Sequence, residues 1–168
     1  MKHYLLSGLF LLGLALNVQA EEAFELSDQC QDAEMGMIKC KVSEDVSADD
    51  AIESMKLRAN MLNFKLVGHM PLSEQVKSMG GESNRMEIFQ FCDAMIAAKM
   101  VKHSMAFAGY LPCRISLILD DKGQPWLITL NMDKTMSTAT LTPELQGLGM
   151  KVRNNIYSII TAGVEGDL

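Results

Sequence analysis

Apolar and polar residues alternate at a period of two over Met37–Val42, with Ile38, Cys40 and Val42 on one face, the mark of a strand with one buried side. Ser47-Ala48-Asp49-Asp50 then reads as a helix start, because the Ser47 hydroxyl can accept an orphan N–H and the two acids suit the positive end of the helix dipole. Behind it Ala48, Ala51, Ile52, Met55, Ala59 and Leu62 recur at three-to-four spacing, while Glu53, Lys56 and Arg58 fall off that stripe. Phe64–Met70 alternates again as a strand, and Pro71 ends it because proline has no N–H for a ladder. The stretch 72–84, with Gly80-Gly81 among mixed polar residues, is expected to be a short helical turn and then a surface loop at which a ligand site could have its rim.

Arg85–Cys92 predicts a third strand, with Met86, Ile88 and Gln90 on one side and Phe89 and Phe91 on the other. Asp93 suits the N-cap of a helix over Ala94–His103, whose Ile96, Ala97, Met100 and Val101 would turn to the core. Two strands, Cys113–Leu119 and Pro125–Met132, are joined through Asp120-Asp121-Lys122-Gly123, a hairpin turn in which Gly supplies positive φ. Thr142-Pro143-Glu144 opens a last helix with Thr as cap and Pro in the first turn. Its stripe of Leu145, Leu148, Val152, Ile156, Ile159 and Ile160 is expected to pack along the sheet, and the tail Gly163–Leu168 to fray. Helices and strands in this succession make an α+β protein.

The N-terminus changes the picture of where the protein works. Lys2, the apolar run Leu5–Leu16, and Val18 and Ala20 at the −3 and −1 positions form a secretory signal, with cleavage after Ala20 and a periplasmic destination expected. The run is short of the roughly 20 residues that a membrane helix needs, and the competing reading is an uncleaved anchor. No cysteine stands at the cleavage point, which argues against a lipoprotein, and no later segment reaches spanning length. Fourteen basic against twenty-one acidic residues remain after the signal, with no basic cluster, which argues against nucleic-acid and anionic-lipid partners. What remains has the length of one domain.

The order Ile88-Phe89-Gln90-Phe91-Cys92-Asp93, a helix, Leu111-Pro112-Cys113-Arg114-Ile115 and a hairpin at Asp121-Lys122-Gly123 resembles the bacterial domain of unknown function 302 family. Asp93-Ala94 stands here where members often carry Asn-Pro after the first Cys. The resemblance covers residues 47–162, after an N-terminal segment 21–46 that carries the first strand and before the tail 163–168. It implies an antiparallel sheet with two main helices plus a short one, in the TATA-binding-protein-like class, often as a homodimer. It implies no catalytic residue, and fold does not confer function.

Cys30, Cys40, Cys92 and Cys113 are an even set in an oxidising compartment, which points to two disulfides. Three pairings are possible. One strand ending in Cys92 and another opening with Cys113 favour Cys92–Cys113, leaving Cys30–Cys40. The competing reading of Cys92 and Cys113 is thiol–disulfide exchange, with the helix start beside Cys92 lowering its pKa; the absence of Cys-x-x-Cys and the adjacent Asp93 oppose it. The spacing does not suit zinc.

Fourteen methionines raise copper(I) or haem ligation, with Met35-Gly36-Met37, His69-Met70 and His103-Ser104-Met105 as the local groups, although Met is more often a flexible core filler. Met132 and Met136 would face one way only on a helix. Asp93, His103 and Ser104 make no credible triad, since adjacent helix positions diverge, and Asp120-Asp121 reads as turn chemistry. Arg114, on the face opposite Ile115, either binds an anion or decorates solvent; Trp126 reads as a core or dimer-interface residue. With no catalytic constellation and apolar faces on nearly every element, the leading expectation is a noncatalytic binding or accessory module for a small hydrophobic ligand or cofactor. A redox protein using Cys92 and Cys113, and a structural dimerisation module, are the rivals.

Overall fold

The computed structural model describes residues 22–167, and the expected signal peptide, residues 1–20, lies outside them. Six strands, β1 (Cys30–Ala33), β2 (Met37–Lys41), β3 (Lys65–Met70), β4 (Met86–Cys92), β5 (Cys113–Leu119) and β6 (Pro125–Leu130), form one antiparallel sheet in the order β1-β2-β6-β5-β4-β3. Five helices accompany it: α1 (Ala48–Met61), α2 (Leu72–Ser78), α3 (Ala94–His103), α4 (Met132–Ser137) and α5 (Pro143–Glu165). The architecture is α+β, with more helices than the two long and one short that the sequence suggests.

The starts of α1, α3 and α5 follow from local chemistry. Ser47 and Asp50 close a capping box, the Asp93 carboxylate accepts from the Met95 and Ile96 amides, and Thr142 accepts from the Leu145 amide with Pro143 in the first turn. Gly123, at φ +79°, lets the β5–β6 hairpin close, while the Asp120 side chain accepts from the Lys122 and Gln124 amides.

One face of the sheet carries the core. Phe89, Phe91, Ile115, Leu117 and Leu127 are fully buried there against Ala51 and Met55 of α1 and Ile156, Ile159 and Ile160 of α5. At Gly163 the helices and the sheet approach so closely that a Cβ would lie 2.6 Å from Met55 Cγ and 2.8 Å from Leu127 Cδ1.

Four expectations need correction. A strand was not foreseen at Cys30–Ala33: β1 lies against β2 with Cys30 directly opposite Cys40, and the disulfide between them closes the hairpin. A loop of this size contributes about 3 kcal/mol by restricting the unfolded chain. The last strand stops at Leu130, short of Met132, because the Asn131 side chain accepts from the Lys134 amide and caps α4. The tail does not fray at Gly163: α5 runs on to Glu165, ends on left-handed Gly166, and is tied by Ser43 N–H to Val164 C=O and by the Arg58–Asp167 ion pair. On α3 only Ile96 is buried; Ala97, Met100 and Val101 are half-buried.

Candidate functional site

The residues that alternate away from the core, among them Ile88, Ser116, Ile118 and Ile128, lie on the sheet face opposite α1 and α5. At the end where β4 and β6 finish and β2 and β5 begin, α3 and the 3-10 segment Met105–Tyr110 connect β4 to β5, and α4 follows β6. A cavity of about 630 Å³ runs there, walled by the open face of the sheet, by α3 and α4, and by Gly149 and Val152 on α5. Its walls are mainly apolar: Ile118, Ile128 and Leu130 from the sheet, Met100 from α3, and Met132 and Met136 from α4. Met132 and Met136 do lie on a helix and do face one way, the arrangement that their spacing permits.

Arg153 sets the position of α4, and it escaped the sequence reading because it sits within the apolar stripe of α5. Nearly buried, it donates from Nε to Asp133 Oδ1 at 3.0 Å and from Nη2 to Asp133 Oδ2 at 3.1 Å, a bidentate pair joining α5 to α4. Its guanidinium lies 4.3 Å from the centre of the Tyr157 ring, and the Tyr157 hydroxyl accepts from the Met132 amide at 3.0 Å. Arg153 Nη1 donates to the Phe24 carbonyl, and Asn154 Nδ2 to the Glu22 carbonyl, so the N-terminal segment docks on the same helix. The available signal was an arginine set between Val152 and Ile156 of the apolar stripe.

Cys92 and Cys113 both border the cavity, as free thiols. The expected Cys92–Cys113 bridge is not formed, for a reason of register: β4 and β5 pair Phe91 with Cys113, so Cys92 falls one residue out of phase and its side chain belongs to the other face. Burial pushes the Cys113 thiol up to about 11, and burial with the neighbouring Asp93 carboxylate raises that of Cys92. Thiols kept protonated in this way are weak nucleophiles.

Arg114 is exposed at the cavity wall, across from Gln90 in the β4–β5 ladder. Trp126 is not a core residue. Half-buried on the open face, it donates from Nε1 to Asp120 Oδ2 at 3.1 Å and carries the Lys39 ammonium 3.9 Å from its ring centre. It does not line the cavity.

The four Met/His positions are elsewhere too. His69 stacks on Phe89 with ring centres 4.5 Å apart and pairs with Glu87 at 2.6 Å, while Met70 beside it is exposed. His103 Nε2 is 2.9 Å from the Thr140 carbonyl at the end of α3, and Met105 is 85% exposed. The described residues contain no group of three or more His, Cys, Asp or Glu suited to a metal ion. Nor is any helix among them long and apolar enough to cross a membrane.

No curated protein matches the chain. Among solved structures, an uncharacterized conserved protein DUF302 from Bacillus stearothermophilus is similar in fold, with a TM-score of 0.62 at 17% identity, covering 76% of this chain and 98% of that one. The family model described as Domain of unknown function DUF302 matches residues 38–163, from within β2 to the last turn of α5, so it takes in β3 to β6 and the helices that wall the cavity. On that match the chain belongs to the DUF302 family.

Proposed function

We propose that this protein is an exported, noncatalytic binding module whose cavity takes a small hydrophobic ligand in the periplasm. The carrying observation is the cavity of about 630 Å³ with mainly apolar walls, within the roughly 300–1,000 Å³ of small-ligand sites. Methionines on α3 and α4 suit such a role, because an unbranched thioether side chain adjusts to ligands of differing outline. The raised thiols of Cys92 and Cys113 speak against nucleophilic chemistry at the same wall. A cross-strand disulfide at Cys30–Cys40 suits an oxidising compartment.

Titration with N-phenyl-1-naphthylamine, an uncharged apolar fluorophore, tests the reading. Saturable binding at one site is expected, and Ile128→Trp, which fills the cavity from β6, should weaken it at least tenfold. Ser116→Phe, on the neighbouring strand, should do the same and guards against misfolding of the first variant. Binding that is non-saturable, or indifferent to both substitutions in folded protein, would overturn the proposal.

A further inference from the structure

We infer that the ligand is an amphiphile with one anionic head group, held by Arg114 while its apolar body lies in the cavity. This deepens the binding reading above and rests on it. The chain has four arginines. Arg58 pairs with Asp167, Arg85 with Asp49 and Glu87, and Arg153 with Asp133. Arg114 is the one whose guanidinium has no carboxylate or hydrogen-bond acceptor among the described residues, and it is the one at the cavity wall. Thr129 Oγ1 donates to the Arg114 carbonyl at 2.8 Å, a bond that leaves the guanidinium free.

The one carboxylate among the residues lining the cavity, Asp93, already serves the start of α3, accepting from the Met95 amide at 3.0 Å and the Ile96 amide at 3.1 Å. Its charge faces a helix N-terminus, where it is offset by the helix dipole. A ligand therefore meets an apolar enclosure with one uncommitted cation on its wall. A planar guanidinium with paired N–H donors matches a carboxylate in two-point geometry, which a neutral head group cannot reproduce. Free fatty acids and other single-chain carboxylates share this chemistry.

Calorimetric titration with decanoate and with 1-decanol, two probes of equal chain length, separates the two levels of the argument. Wild-type protein is expected to bind decanoate about tenfold more tightly than decanol at low salt, a preference that shrinks in high salt because Arg114 is exposed. Arg114→Gln should remove the preference, and Arg114→Lys should keep part of it. Equal affinity for the two probes in the wild type, or a preference that persists in Arg114→Gln, overturns the anchor and leaves the apolar cavity standing as a site. Binding of neither probe overturns the cavity reading and the anchor with it.

Discussion

Cys113 stands opposite Phe91 across the β4–β5 ladder, so the Cys92 side chain, one residue further on, leaves the sheet on the other face. The two thiols share a cavity without sharing a face, and burial affects them unequally: Cys113 is pushed up to about 11, and Cys92 is raised by burial and by Asp93. Iodoacetamide should therefore label the unreduced native protein twice, at Cys92 first. Cys113 should react on the order of a hundredfold more slowly at pH 8 than an unperturbed thiol, its rate climbing as pH approaches the raised value. A time course read by peptide mass spectrometry checks both the order and the count. Absence of labelling until a reductant is added would mean that the strands shift enough to bridge the pair.

Glu87 carries a pH signature of its own. Burial alone would raise its carboxyl, but hydrogen bonds from Arg85 at 2.5 Å and His69 at 2.6 Å outweigh that and hold it below its ordinary value. A carboxyl lowered by folding stabilises the protein above the unfolded pKa, and that contribution is lost as pH falls through the folded one. Glu87→Gln should accordingly cost about 1–3 kcal/mol near neutral pH. The gap between variant and wild type should begin to narrow as pH falls past the ordinary Glu value and close once it has fallen through the lowered native one. Urea denaturation at pH 7 and pH 3 measures the difference.

Gly163 is where α5 touches both α1 and the sheet. An added methyl group would meet Met55 Cγ at 2.6 Å, Leu127 Cδ1 at 2.8 Å and the Ala51 carbonyl at 3.1 Å, and the last of these is backbone that cannot rotate away. Gly163→Ala gains helix propensity yet should lose about 1–3 kcal/mol overall through overpacking. Thermal unfolding of the variant reads the sign directly, and a stabilised Gly163→Ala protein would mean that the helices separate without cost.

What could be read from the chain was local. Ser47, Asp93 and Thr142 announce their helices because a cap needs one side chain and the amides just after it, and Gly123 marks its hairpin for a similar reason. β1 could not be read in that way: Cys-Gln-Asp-Ala has no apolar alternation, and its place depends on β2 and on the Cys30–Cys40 bridge. The Cys92–Cys113 expectation took two strand ends as neighbours and left out register, which decides the face. The tail was expected to fray as chain ends do, whereas Gly163 serves close packing and Gly166 ends a docked helix. The cavity has no motif at all. Its wall is assembled from residues that read singly as core filler or surface, and Arg114 stands out only once every other arginine is seen to be paired.

The Arg153–Asp133 pair ties the cavity to the rest of the fold. α4 is only six residues long and contains no buried residue, so its position depends on Asp133 held by Arg153 and on the Met132 amide held by Tyr157. Arg153 is nearly buried while the Asp133 side chain is about half exposed, so removing the acid leaves a cation with little access to water. Asp133→Asn should cost about 1–3 kcal/mol, below the figure for a fully buried pair because solvent screens the acid's side. Because α4 brings Met132 and Met136 to the cavity, the same change should speed amide exchange across residues 132–137 and weaken binding of 1-decanol. Arg153→Met should act in the same direction, and the double variant should fall short of the sum of the two, since each removes the same contact. Hydrogen exchange and calorimetry on the four proteins measure this together. Unchanged exchange in α4 with full additivity would show that the Arg153–Asp133 pair does not position the helix, leaving Tyr157 and the Lys134–Asp32 ion pair to do so.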